Sequence, residues 1–193
     1  MKIKYIFLFL TLSLCACDDY LDITPQGQIK GDELLTTKEG IEDALYGTYA
    51  KMRTSSLYGQ ELSFSTIDVM GGYHSCKGNK TVEALLKYDY NYSAIESTFS
   101  GVWTEMYSNI SAVNNILGCS LLDNPTQYPY TVYRGEALGL RAFMHFDLMR
   151  LYAEQITTNP QADGIPYATE FSLKTPDFES LAKNYEHVIA DLL

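Results

Sequence analysis

The segment between residues 54 and 92 gathers side chains that are suited to binding a small polar ligand. Tyr73 and Tyr90 supply aromatic rings, and Asn79 and Asn91 supply amides. An aromatic ring can lie flat against the C–H face of a sugar ring, while amides form hydrogen bonds with sugar hydroxyls. These four residues are therefore the candidate ligand-binding site. The alternative is that the tyrosines pack this long segment against the rest of the fold.

Catalytic and metal-binding patterns are weak by comparison. His74 and Cys76 are close in sequence, but the other histidines, His145 and His187, lie in separate predicted helices. The sequence contains no CxxC or HExxH spacing, no G-x-S-x-G elbow and no P-loop. A carboxylate pair for glycoside hydrolysis stays open, because 24 acidic residues allow many pairs and sequence alone gives no separations. We predict no catalytic residue, no metal site and no cofactor.

The charge and composition of the 193-residue chain exclude several functional classes. Its 24 acidic residues outnumber 14 lysines and arginines, and the resulting charge of −10 disfavours nucleic acid as a ligand. An aromatic content of 13% provides apolar surface for folding and argues against general disorder. The unusual feature is sixteen tyrosines beside a single tryptophan, since tyrosine suits both helical cores and binding surfaces.

Residues 1–16 are typical of a bacterial lipoprotein signal peptide. Two lysines precede an apolar stretch that is too short for the roughly 30 Å hydrocarbon core of a bilayer. The following LCAC resembles a lipobox, with a small residue before the cysteine that would become the lipidated N-terminus. We therefore predict lipidation of Cys17, followed by an acidic tether and an extended segment over residues 17–35. A plain signal peptide with two cysteines is the alternative.

The rest of the chain, residues 36–193, is predicted to be mostly α-helical, because apolar residues recur at spacings of three and four in four segments. The first segment opens with a capping box formed by Thr36 and Glu39. The last begins with Thr175 as its N-cap and Pro176 at its first helical position. The four predicted helices cover approximately residues 36–52, 93–117, 130–153 and 175–193.

A long irregular loop, residues 54–92, separates the first two predicted helices. A connection of this length is usually functional or carries small elements of its own. Residues 89–92 alternate polar and aromatic side chains, as a short strand does. The apolar stripe of the fourth helix, with Phe178 near its start, continues to Leu193 without a stop signal, so we expect the sequence to be truncated at its C-terminus.

Several side chains in the predicted helices receive structural interpretations. Trp103 lies on an apolar stripe and is expected in the core. Asn114 lies off that stripe, where its amide can bond the backbone of a neighbouring helix or loop. The charged residues of the third helix are expected to form surface or inter-helix ion pairs: Glu136, Arg141, Asp147 and Arg150.

Five segments match one known family in sequence and in order. They are CDDYLDITP at 17–25, WTEMYSNISAVN at 103–114, GEALGLRAFMHFDLMRLY at 135–152, GIPY at 164–167 and VIADL at 188–192. Together they resemble the N-terminal part of the SusD-like (RagB) nutrient-binding lipoproteins of Bacteroidetes outer membranes. His145 departs from the aromatic residue that is usual in the family, and Ala153-Glu154 depart from its usual glycine.

This resemblance implies a fold in which helices pair as in tetratricopeptide repeats. It also implies that the protein binds glycans or other nutrients at the cell surface and passes them to a SusC-like TonB-dependent transporter. A lipid anchor would hold it in the outer membrane. Two alternatives stay open at this stage: a lipid-anchored glycoside hydrolase, and a helical scaffold that contacts the transporter without touching a ligand itself.

Overall fold

The computed structural model describes residues 31–193, so the predicted signal peptide, Cys17 and residues 17–30 of the tether lie outside the described residues. Within the described range the fold is mostly α-helical, as expected, and contains no β-strand. A 3₁₀ turn occupies Ser120–Leu122. The α-helices are α1 (Gly31–Leu34), α2 (Lys38–Met52), α3 (Thr66–Met70), α4 (Lys80–Leu86), α5 (Ser93–Leu117), α6 (Tyr130–Tyr152) and α7 (Leu181–Leu192).

Helix α1 belongs to one compact unit, and residues 35–193 form another that holds the main core. In this second unit α5 packs against α6, α6 packs against α7, and α2 packs against both α5 and α6. Helix α5 buries Val102, Met106, Ile110 and Val113, whose spacings of four, four and three place them on one face. The buried residues of α5 therefore follow the apolar spacing that the sequence predicted for the second helix.

The N-terminus of α2 lies one residue beyond the predicted cap. Thr37, rather than Thr36, is the N-cap, and its Oγ1 accepts a hydrogen bond from the Gly40 backbone N at 3.1 Å. The helix accordingly begins at Lys38. A threonine hydroxyl at either position can cap a helix. The pattern therefore located the N-terminus of the helix to within one residue but did not identify its cap residue.

Residues 54–92 are more ordered than an irregular loop, because they contain α3 and α4. These short helices form a second apolar cluster together with the start of α5, made of Val69, Ala84, Leu85 and Ile95. The expected strand at residues 89–92 is wrong. The segment is a turn, in which the Tyr92 backbone N donates to the Asp89 carbonyl at 3.2 Å.

The fourth predicted helix starts later than its sequence signals indicated. Helix α7 begins at Leu181 with Ser180 as its N-cap, and neither Thr175 nor Pro176 is helical. Residues 179 and 180 instead pair with residues 163 and 164, where the Gly164 backbone N donates to the Glu179 carbonyl at 2.9 Å. This pairing holds the segment extended. Phe178, which was assigned to the buried stripe, is consequently 63% exposed.

Candidate functional site

A surface cavity of about 630 Å³ lies along the N-terminal half of α5. We refer to it as the aromatic groove, because four of its lining residues carry aromatic rings. It is lined by Tyr90, Glu96, Phe99, Ser100, Trp103, Thr104, Leu151 and Tyr152. Most of these residues lie on α5 at helical spacing, and Leu151 and Tyr152 come from the end of α6. Two rigid helices therefore position the site.

The rings of the groove support one another through edge-to-face contacts. Tyr90 and Phe99 have ring centroids 5.6 Å apart, and Phe99 and Tyr152 are 6.0 Å apart. Tyr152 also meets Trp103 edge-on, with centroids 4.9 Å apart. Each such contact contributes about 0.5–1.5 kcal/mol beyond its buried area. The packing fixes the orientation of the rings before any ligand arrives.

Hydrogen bonds to the backbone tie two tyrosines of this region in place. Tyr152 donates from its hydroxyl to the Phe99 carbonyl at 2.6 Å, and Tyr107 donates to the Pro166 carbonyl at 2.8 Å. Burial raises the pKa of both hydroxyls, so each stays protonated and remains a donor at neutral pH. The bond of Tyr152 fixes one ring of the aromatic groove, and the bond of Tyr107 fixes a ring that lies beyond Trp103 on α5 and outside the groove.

A smaller cavity, of about 260 Å³, lies on the other side of Trp103. Trp103 and Tyr107 stack obliquely there, with centroids 4.8 Å apart. The opposite wall comes from residues 166–176 and includes Glu170 and Lys174. Trp103 thus forms a wall of both cavities, and the two lie end to end along α5.

The position of Trp103 corrects its interpretation as a core residue. Its side chain packs against the core but is only partly buried, and its remaining surface lines both cavities. The useful signal in the sequence was the spacing of Phe99, Trp103 and Tyr107 by four residues, which places three aromatic rings along one line of a helix. Tyr152 could not be connected to this line, because it is distant in sequence.

The structure separates the four predicted ligand residues. Tyr90 lines the aromatic groove and is 52% exposed. Tyr73 is 80% exposed and does not line the groove, and Asn91 is also exposed. Asn79 is the N-cap of α4, where its Oδ1 accepts from the backbone N of Thr81 and Val82 at 3.1 and 3.2 Å.

The residues considered for nucleophilic or metal chemistry do not converge. Cys76 and Cys119 are both free, the first exposed and the second partly buried. His74 lies 3.7 Å from Asp68 on the surface. No group of three or more potential metal ligands occurs among residues 31–193.

The interpretation of Asn114 as structural is confirmed. Its Nδ2 donates to the Ala168 carbonyl at 2.9 Å, and its Oδ1 accepts from Arg141 at 3.0 Å. Arg141 also forms the expected inter-helix ion pair, with Asp191 of α7. These contacts hold residues 165–170, one wall of the smaller cavity, against α5 and α6.

No helix in the described part of the chain combines the length and the apolar character that crossing a membrane requires. A helical scaffold that presents preorganised aromatic rings in a surface groove is the architecture of a binding domain. The chain belongs to the SusD-like family described as "Starch-binding associating with outer membrane", whose model matches residues 19–192. The resemblance inferred from five short segments is thereby confirmed.

Individual relatives agree with this assignment. The chain is 25% identical to SusD-like protein P2 of Formosa agariphila, over 99% of this chain and 37% of that protein. It is 24% identical to SusD-like protein P38 of the same organism, over 100% of this chain and 35% of that protein. The chain therefore spans little more than a third of the length of these curated relatives.

A solved structure supports the fold. The crystal structure of a SusD superfamily protein from Bacteroides fragilis superposes with a TM-score of 0.63 at 23% sequence identity. The match covers 82% of this chain and 38% of the other. The helical arrangement described above is thus the N-terminal part of a SusD-like fold, as expected.

Proposed function

We propose that this chain is part of a cell-surface lipoprotein that binds glycans and delivers them to a SusC-like TonB-dependent transporter. The observation that carries the proposal is membership of a family described as starch-binding and associated with the outer membrane. The predicted signal peptide and the lipidated Cys17 would supply the anchor. The protein would act by binding rather than by catalysis.

The aromatic groove is the proposed site of glycan contact. Tyr90 and Trp103 offer ring surface to the C–H faces of a sugar, and Glu96 and Thr104 supply polar groups for its hydroxyls. The rings are held by neighbouring rings, so little side-chain entropy is lost when a ligand binds. The groove suits a neutral sugar chain better than an anionic one, because Glu96 is its charged lining residue.

The remaining predicted residues extend this proposal. Tyr73 and Asn91 are exposed and would contact the part of a glycan that lies outside the groove. Asn79 would contribute its Nδ2 group alone, because its Oδ1 caps α4. Their contribution should therefore be smaller than that of Tyr90.

Replacing Tyr90 by alanine tests the site. We expect Tyr90→Ala to weaken glycan binding by roughly fivefold to tenfold, since the loss of one aromatic contact costs about 1 kcal/mol. The measurement is isothermal titration calorimetry of the full-length protein against a panel of neutral polysaccharides. Tyr46→Ala removes an exposed tyrosine from another part of the surface and should leave the affinity unchanged.

The same titration separates the two alternatives. If chromatography showed that the protein converts the polysaccharide into smaller products, the protein would be a hydrolase and the binding proposal would be overturned. Unchanged affinity in a Tyr73→Ala, Tyr90→Ala double variant would place ligand contact elsewhere in the protein. That outcome would leave these helices as a scaffold.

A further inference from the structure

The smaller cavity continues the line of the aromatic groove along α5. Trp103 forms a wall of both cavities, and Tyr107 and Ser111 follow it toward the C-terminus of the helix at intervals of four residues. Residues four apart lie on one face of a helix. At about 1.5 Å per residue, the face from Phe99 to Ser111 is roughly 18 Å long. Several linked sugar units can lie along a path of this length.

The two cavities differ in size. The aromatic groove has a volume of about 630 Å³, and the smaller cavity has a volume of about 260 Å³. Sites for drug-sized ligands measure roughly 300–1,000 Å³, so the smaller cavity suits one sugar unit and the groove suits more than one. Trp103 and Tyr107 offer ring surface to that unit, and the bond of Tyr107 to the Pro166 carbonyl fixes its ring.

The polypeptide chain closes the far end of the smaller cavity. Asn114 is only 2% exposed, and its Nδ2 donates to the Ala168 carbonyl at 2.9 Å and to the Glu170 carbonyl at 3.4 Å. These bonds hold residues 168–170 directly on α5. A glycan chain that enters past Trp103 therefore meets the backbone of this segment and cannot continue along the helix.

Several polar groups of the smaller cavity have no partner among residues 31–193. The Glu170 carboxylate and the Lys174 ammonium group take part in no ion pair there, either with each other or with another residue. The hydroxyls of Ser111 and Thr175 form no hydrogen bond within the same range. A carboxylate accepts a hydrogen bond from a sugar hydroxyl, and an ammonium group donates one to its oxygen. The cavity therefore offers both kinds of partner to a sugar.

The end unit of a glycan chain differs from an internal unit by a hydroxyl that no linkage uses. A subsite for the end unit therefore needs more hydrogen-bonding groups, whereas ring contact can dominate for internal units. The two cavities match this difference. The groove has four rings and one charged lining residue, Glu96, whereas the smaller cavity has two rings and two charged residues, Glu170 and Lys174. Their opposite charges cancel, so a neutral sugar suits the cavity.

We propose that the smaller cavity is a terminal subsite, which binds the end unit of a neutral glycan chain whose next units lie in the aromatic groove. Trp103 lies at the junction and contacts the units on both of its sides. The protein then binds glycans at their chain ends rather than along their length. The inference rests on the proposed function, because it extends the glycan site of the groove.

The number of protein molecules bound per glycan chain tests the proposal. The probes are linear fragments of starch and of a β-linked glucan, separated by length and titrated calorimetrically with the full-length protein. We expect one protein per chain at every length that fills both cavities, because a linear chain has one end of each kind. A number that rises in proportion to chain length would show binding to chain interiors and overturn the proposal. Binding of the intact polysaccharide without binding of its fragments would overturn it too.

Charge removal tests the residues of the terminal subsite. The double variant Glu170→Gln, Lys174→Met should weaken binding of the fragments about tenfold, because hydrogen bonds between charged groups and the end unit are lost. Glu186→Gln, Lys183→Met removes the same pair of charges from exposed positions on α7 and should leave the affinity unchanged. Equal affinities of the first variant and the wild type would contradict the terminal subsite.

The two proposals can fail separately. If Tyr90→Ala weakens binding but the number of bound proteins rises with chain length, the groove binds glycan and the terminal subsite is wrong. If only the Glu170, Lys174 variant weakens binding, the smaller cavity binds sugar by itself, and the proposal of one continuous site is overturned. If neither the fragments nor the intact polysaccharides bind, both proposals are rejected.

Discussion

His145 is a buried residue whose two ring nitrogens both take part in hydrogen bonds. Its Nδ1 lies 2.9 Å from the Arg141 carbonyl, and its Nε2 accepts from the Ala168 backbone N at 3.1 Å. The ring stacks on Tyr167 with centroids 3.8 Å apart. This geometry assigns the proton to Nδ1 and requires a neutral imidazole, because a second proton on Nε2 would face the Ala168 N–H.

Acid should therefore destabilise the fold through His145. Burial lowers its pKa from 6.5 to about 4, so between these values the unfolded chain binds a proton that the folded chain does not. The free energy of unfolding should fall by about 3 kcal/mol as the pH decreases through this range. Urea unfolding of the full-length protein at several pH values measures the slope.

The matched variant for this prediction is His145→Gln, whose side chain can form hydrogen bonds but does not titrate. The variant should lose the part of the slope that comes from His145, whatever its absolute stability. His74→Gln changes an exposed histidine and should keep the wild-type slope. Identical slopes in all three proteins would show that His145 does not control the acid response.

Helix α7 shows how tertiary contacts select the end of an element. Thr175 and Pro176 form a sound local start signal, yet the helix begins five residues beyond Pro176. The first backbone N–H groups of α7 donate to residues 160–162, with Leu181 N to the Ala162 carbonyl at 2.8 Å. The Asn184 Oδ1 also accepts a hydrogen bond from the Ile165 backbone N. The carbonyls of residues 160–162 thus accept hydrogen bonds from the first N–H groups of α7, which would otherwise need acceptors from a cap.

The two candidate caps give a direct comparison. Ser180→Ala removes the hydroxyl that accepts from the Lys183 backbone N, and it should lower the free energy of unfolding by about 0.5–1 kcal/mol. Thr175→Ala should change the free energy of unfolding by less than about 0.5 kcal/mol. Chemical denaturation of the full-length protein distinguishes them, and the reverse ranking would place the helix start at Thr175 after all.

At the scale of the whole compact unit, Arg141 connects separate parts of the chain. Its guanidinium bonds both carboxylate oxygens of Asp191, with Nε to Oδ2 at 2.7 Å. It also donates to Asn114 of α5 and to the Thr169 carbonyl. Tyr167 completes the network by donating to Asp191 at 2.8 Å. One buried side chain thus joins α5, α6, α7 and the segment that walls the smaller cavity.

Removing this guanidinium should be costly. Arg141→Met leaves Asp191 largely buried without its charge partner, and we expect a loss of about 3–5 kcal/mol in the free energy of unfolding. Arg150→Met is the matched control, because Arg150 is exposed and pairs with Asp147 across one turn of α6. That variant should lose less than about 1 kcal/mol. Thermal and chemical denaturation would contradict the network if the two losses were similar.

Local sequence patterns predicted the two central helices well. Contacts between residues three and four apart explain the apolar period of α5 and its end at Gly118. They also explain the limits of α6, which were predicted to within one residue. The aromatic groove was predicted only in part, through Tyr90. Trp103 was expected in the core, because sequence does not tell which side of a broad apolar stripe a neighbour leaves uncovered. Phe99 and Tyr152 were not singled out as site residues.

The amino-acid sequence by itself determined the helical class, the family and the periods of the long helices, because these depend on residues that are neighbours along the chain. The tertiary structure decided where α7 begins, that Trp103 faces two cavities, and that His145 and Arg141 share one buried network. Each of these features depends on partners that are distant in sequence, such as Ala162 for α7 and Asp191 for Arg141. Such partners compete with local preferences only once the helices have packed.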